Sequence, residues 1–137
     1  MARQITLDQA EAIVTACKAE ADAVGQPMNI AVVDDGGHLV AFASMDGTKL
    51  IGIDIAQKKA LTAVYFQTDT QDLAPLVQPG APLFGIESTT GGRLVVFGGG
   101  VLLRTAAGEV AGGVGVSAGT VDEDQQVAAA GAASFPG

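Results

Sequence analysis

Asp35-Gly36-Gly37 stands between two apolar runs, 28–34 and 38–43. Glycine reaches positive φ without a Cβ clash, so this tripeptide supplies a tight reversal. The flanking runs are rich in Val, Ile and Ala, and together they predict an antiparallel hairpin over 28–43.

Helical periodicity brackets the hairpin. In 6–24, Leu7, Ala10, Val14, Cys17, Ala21 and Val24 recur at three- and four-residue steps and form one apolar stripe. Thr6-Leu7-Asp8-Gln9 has the form of a capping box, Asp8 and Glu11 suit the positive end of the helix dipole, and Gly25 with Pro27 ends the helix. A second helix is predicted over 51–67. It is apolar nearly all round, with Lys58 and Lys59 its only cations, which predicts burial on more than one side.

A short third helix is predicted over 70–77, closed by Pro79, Gly80 and Pro82, and 83–92 has no clear period. Three strand-like runs follow at 93–97, 101–105 and 109–117, with Ala107-Gly108 turning between the last two. Thr120-Val121-Asp122-Glu123 repeats the capping-box form and starts a final helix to about Ala133. Nothing marks a boundary, so 1–137 reads as a single domain. The expected class is α+β, with a five-stranded, mainly antiparallel sheet covered by helices.

Composition narrows the partners. The chain has 137 residues, Lys plus Arg is 7, Asp plus Glu is 15, and the net charge is -8. So acidic a surface is poorly suited to a phosphate backbone or an anionic membrane, which are bound through Lys and Arg. The N-terminus runs into an amphipathic pattern rather than the apolar stretch of a secretory signal, so a soluble, cytoplasmic protein is expected. Charged residues make up 16% of the chain, hydrophobic residues 48%, and the mean hydropathy is +0.37. Little charge is left to cover a surface, and apolar surface is commonly covered by sister subunits. A homo-oligomer is expected.

Few residues invite chemistry. His38 is the single histidine, and imidazole is the side chain best placed to move a proton or bind a metal near neutral pH. Asp34, Asp35 and Asp46 are candidates to flank and orient it. The expectation is an imidazole at the mouth of a cavity, where the glycine pair leaves room for a small-molecule ligand. One His, one Cys and scattered carboxylates match no zinc spacing, and 34–37 lacks the closing Glu and flanking helices of a calcium loop. No metal site is expected. Gly98-Gly99-Gly100 and Gly112-Gly113 with Gly115 lack the Lys-Ser/Thr of a phosphate loop and read as places where strands bend or pack closely. Asp54 and Lys58 have the spacing of a helical ion pair, and Cys17 falls on a core stripe as a buried thiol.

The run Val32-Val33-Asp34-Asp35-Gly36-Gly37-His38-Leu39-Val40-Ala41-Phe42, continued by Met45-Asp46-Gly47, resembles the signature of the GlcG/HbpS-like family, which includes the C-terminal domain of PduO-type proteins. Ile53-Asp54-Ile55-Ala56-Gln57-Lys58-Lys59-Ala60 is similar to the family's second-helix segment. Phe97-Gly98-Gly99-Gly100, Gly108-Glu109-Val110-Ala111-Gly112-Gly113-Val114-Gly115-Val116-Ser117 and Asp122-Glu123-Asp124-Gln125 are similar to its C-terminal half. The resemblance spans about 5–134. It implies a profilin-like layered domain, assembled into dimers or rings, with links to haem binding, haem degradation and small-molecule catabolism. Two departures bear on pocket shape. Val101 and Leu102 stand where the family often has Pro, and the corner 115–119 is one residue wider.

Two functional readings follow. In the first the domain binds haem or a related tetrapyrrole. His38 is the axial ligand, with Met45 and Tyr65 as weaker candidates. Phe42 and Leu39 supply the apolar surface, and Lys49 or Arg104 meets the propionates. In the second the domain is a cofactor-free isomerase, hydratase or lyase acting on a small carboxylated metabolite. His38 is then the general acid or base, Asp34 or Asp46 orients it, and Lys59 or Arg93 holds the substrate carboxylate. A scaffolding subunit without a site is the third and plainest possibility.

Overall fold

The computed structural model describes residues 3–137. In chain order the elements are α1 (Leu7–Val24), β1 (Asn29–Asp34), β2 (Leu39–Ser44), α2 (Ile51–Phe66), β3 (Gly100–Arg104), β4 (Val110–Ser117) and α3 (Val121–Ala133). Three short 3-10 turns, Thr70–Asp72, Ala74–Leu76 and Ile86–Thr90, lie between α2 and β3.

The strands form one open antiparallel sheet in the order β2-β1-β4-β3. β1 is central and buried at every position. Its side chains alternate between faces as a pleated strand requires. Ile30 and Val32 join a core with Ile13 and Cys17 of α1 and Val127 of α3, while Ala31 and Val33 meet Ala56, Ala60 and Val64 of α2. The layers are therefore α1 and α3, the sheet, and α2.

Both capping boxes form. The Thr6 hydroxyl accepts from the Gln9 N–H, and the Thr120 hydroxyl accepts from the Glu123 N–H. Gly25 adopts the left-handed conformation that ends α1. The buried stripe of α1 differs from the expected one. It runs through Ala10, Ile13, Cys17 and Ala21, whereas Leu7 is 53% exposed. The helix is turned toward α3, where Gly131 has no side chain and admits Cys17 and Ile13.

α2 lies directly on the sheet because β4 offers it no side chains at two positions. A Cβ built on Gly113 would meet the Ala60 carbonyl, and one built on Gly115 would meet the backbone of Ala56 and Ala60.

The sheet has four strands, so the five expected from the sequence are corrected. The run at 93–97 is extended but pairs with no strand. It crosses α2 as a strap, buries Leu94 and Val96, and donates the Val95 N–H to the Thr62 hydroxyl at 3.0 Å. The helix expected over 70–77 is broken into two 3-10 turns, with Pro75 inside the second. Proline has no N–H to donate and clashes with the preceding turn of an α-helix. Among the described residues, no helix is long and apolar enough to cross a membrane.

Candidate functional site

Asp34 ends β1 with its side chain turned inward and only 4% exposed. The backbone closes a tight turn around it. The Gly37 N–H donates to the Asp34 carbonyl at 3.0 Å, and the Asp34 N–H donates to the His38 carbonyl at 2.9 Å. The carboxylate then gathers donors. Oδ1 accepts the N–H groups of Gly36 and His38, each at 2.9 Å, and lies 3.0 Å from His38 Nδ1. Oδ2 lies 3.0 Å from Arg3 Nε. Burial pushes the Asp34 carboxyl up, but the two backbone N–H groups and the His38 ring outweigh it and hold the group below its ordinary range.

An acceptor at Nδ1 selects the tautomer. In the neutral ring Nδ1 carries the proton and Nε2 the lone pair. The His38 side chain is 76% exposed, so that lone pair is open to a ligand. The two glycines make room for the protein's own side chains, Gly36 for the His38 ring and Gly37 for Leu61. A Cβ on Gly36 would strike the imidazole at 2.7 Å, and Gly37, at φ +83, leaves the space that Leu61 fills.

His38 was expected at the mouth of a cavity, but the cavity at its turn is not lined by it. That cavity measures about 210 Å³; Gly37 and Leu39, on either side of His38 in the chain, line it with Val33 and Leu61, and Asp54, Gln57 and Lys58 complete the lining. Lys58 forms the expected pair with Asp54 at 2.9 Å. α2 packs chiefly on β4, β1 and β3, so the edge strand β2 keeps Leu39 47% exposed. Tyr65 reaches the same turn. Its Cε1 stands 3.5 Å from a Cβ built on Gly37, and its hydroxyl accepts from Arg93 Nη2 at 2.6 Å.

Other sequence candidates lie elsewhere. Met45 and Asp46 line a groove of about 610 Å³ between α1 and β2, together with Lys18, Asp22 and Gln26. The Met45 sulfur accepts the Met28 N–H at 3.4 Å. Phe42 lines a neighbouring groove of about 480 Å³ and packs against the core under α2. Arg104 is occupied by the Gly108 carbonyl at 2.9 Å.

Lys59 is wholly buried. Its Nζ donates to Asp124 Oδ2 at 2.8 Å and to the Val116 carbonyl at 2.9 Å, and it stands 5.0 Å from the centre of the Phe97 ring. Burial pulls the Lys59 ammonium below its ordinary range and pushes the Asp124 carboxyl above its own, each partly offset by the other. The pair ties α2 to α3 and is separate from the His38 turn. The thiol of Cys17 is also buried, and desolvation pushes it up to about 12.

Of the expected site residues, the structure therefore brings together His38 and Asp34. It does not bring Asp46, Met45 or Lys59 to them. Arg3 was not legible as a partner of Asp34, because nothing in its local pattern points across the fold.

Known proteins share this architecture. The profile of the family described as "Haem degrading protein HbpS-like" matches residues 5–133. A 15.0 kDa Citrobacter freundii protein from the dhaT-dhaS intergenic region is 40% identical over 90% of this chain and 87% of its own length. The corrinoid adenosyltransferase PduO of Citrobacter freundii is 35% identical over 93% of this chain, which spans only 38% of that longer protein. The solved structure of a PduOC:heme complex superposes with a TM-score of 0.91 at 34% identity, covering 95% of this chain and 94% of that one.

Proposed function

This chain belongs to the HbpS-like family, and from that premise we propose that it binds haem, with His38 as the axial ligand. One observation carries the reading: Asp34 holds His38 Nδ1 at 3.0 Å on a ring that is 76% exposed. A histidine that ligates a metal commonly gives its other nitrogen to a carboxylate, which fixes the ring and raises its basicity. Here that partner is already in place.

Haem needs an imidazole nitrogen and an apolar surface for its macrocycle. His38 offers the first, and the exposed Leu39 that follows it in the chain offers apolar surface near the turn. Bound there, haem would supply iron-centred ligand exchange and electron transfer. The protein's part would be to orient the imidazole through Asp34. The heme complex of the PduOC relative supports the same ligand class.

Assembly with sister subunits belongs to the same proposal. Leu50 is 79% exposed, and Ile51 and Phe84 are each 65% exposed, apolar side chains that a sister subunit would cover.

The test is a titration of apo protein with haemin. A saturable Soret shift that His38→Ala abolishes is expected. No shift at micromolar haemin removes the reading.

A further inference from the structure

We propose that Arg3 sets how strongly Asp34 draws on the His38 ring, and so how far the bound haem favours ferric over ferrous iron. The inference rests on the haem reading above and deepens it, by naming the residue that tunes the axial imidazole.

The Asp34 carboxylate divides its work between two oxygens. Oδ1 takes the neutral donors: the N–H groups of Gly36 and His38, each at 2.9 Å, and the ring Nδ1 at 3.0 Å. Oδ2 lies 3.3 Å from the same Nδ1 and meets a cation, Arg3 Nε, at 3.0 Å. The Asp34 side chain is 4% exposed, so little water screens these contacts. A guanidinium and an imidazole thus share one buried negative charge. Among the described residues, the other two Lys and Arg ion pairs, Lys58 with Asp54 and Lys59 with Asp124, do not involve His38 or Asp34.

The two backbone N–H groups hold the carboxylate in place without help from Arg3. Arg3 therefore changes the charge that reaches the ring more than the position of the group that carries it. The arginine is itself tied down. Two residues on, Ile5 is buried in the core, and Thr6 caps α1.

A carboxylate facing Nδ1–H makes Nε2 a stronger donor to a metal. A cation on the same carboxylate takes up part of its charge and limits that effect. Ferric iron gains more from a strong donor than ferrous iron does, so bonds made behind the axial ligand set the potential of a haem. With Arg3 present, the His38 ring is the milder donor.

The test is a cycle of wild type, Arg3→Gln, Asp34→Asn and the double variant, each saturated with haemin and titrated to its midpoint potential. Arg3→Gln should lower the midpoint. The same change made in Asp34→Asn should leave it where it was, because the relay is gone. Asp34→Asn alone should raise the midpoint and weaken haemin binding about 10–100-fold. An unchanged midpoint in Arg3→Gln overturns the proposal and leaves His38 ligation standing. So does an equal fall in both backgrounds, which would mark a charge acting through space. Failure of haemin to bind wild type overturns this proposal and the haem reading together. The apo protein gives a readout that needs neither haem nor the asparagine variant. With nitrogen-15 histidine and a neutral ring, the Nδ1 resonance of Arg3→Gln should move toward that of an unprotonated nitrogen, as the bond to Asp34 strengthens. An unmoved resonance overturns the proposal.

Discussion

Asp34 and His38 are joined twice: the carboxylate accepts the His38 backbone N–H at 2.9 Å and faces the ring Nδ1 at 3.0 Å. One acidic side chain therefore closes the hairpin turn and orients the imidazole. On the proposed haem reading, stability and ligand capture depend on the same group.

That coupling predicts a pH dependence. Asp34 is held below its ordinary range in the folded protein, whereas an unfolded Asp titrates near ~3.9. A carboxyl depressed by folding stabilises the native state fully above the unfolded value. The contribution is lost as pH falls from there through the folded value. Urea unfolding of the wild type should show this loss below about pH 4. Asp34→Asn should flatten that part of the profile and cost about 1.5–3 kcal/mol at neutral pH, the scale of hydrogen bonds to charged groups. An unchanged acid limb in Asp34→Asn would contradict the assignment.

The Lys59–Asp124 pair makes a different prediction. Both groups are buried, and Nζ lies 2.8 Å from Oδ2. Removing either partner strands a charge away from water, at a cost of about 3–5 kcal/mol. Replacing both, as Lys59→Met with Asp124→Leu, should cost much less than the sum of the single changes. A denaturation double-mutant cycle measures this, and simple additivity would show that the two charges do not act as a unit.

Close packing of α2 on β4 predicts intolerance at Gly115. In Gly115→Ala the added Cβ falls on the backbone of Ala56 and Ala60, so the helix itself must move. Overpacking of this kind costs about 1–3 kcal/mol. Gly98→Ala is the comparison, because its Cβ would meet only side-chain atoms, the nearest a Val121 methyl at 3.1 Å, and these have more room to yield than a helix backbone. Chemical denaturation of the two variants should rank Gly115→Ala as the more destabilised. The reverse order would count against the packing described here.

Much of the local structure was legible in the sequence, for identifiable reasons. Thr6 and Thr120 announce helix starts because a capping box satisfies orphan N–H groups within four consecutive residues. The hairpin is legible because Asp35-Gly36-Gly37 permits little else. The Asp34–His38 contact follows from the same turn, since both residues flank it. What escaped depends on partners distant in the chain. An apolar extended run does not say whether a ladder will accept it, and 93–97 found the Thr62 hydroxyl instead of a neighbouring strand. Lys59 resembles its neighbour Lys58 in sequence, yet the roughly 100° between successive residues of a helix sends one to Asp124 in the core and the other to the cavity beside Gly37.

The most direct test of the account exploits the single histidine of the chain. Labelling histidine with nitrogen-15 marks His38 alone, and electron paramagnetic resonance of the ferric haem complex then reads hyperfine coupling between iron and that nitrogen. The account predicts a coupling from one imidazole nitrogen that vanishes in His38→Ala. Bound ferric haem with no nitrogen-15 coupling would contradict it.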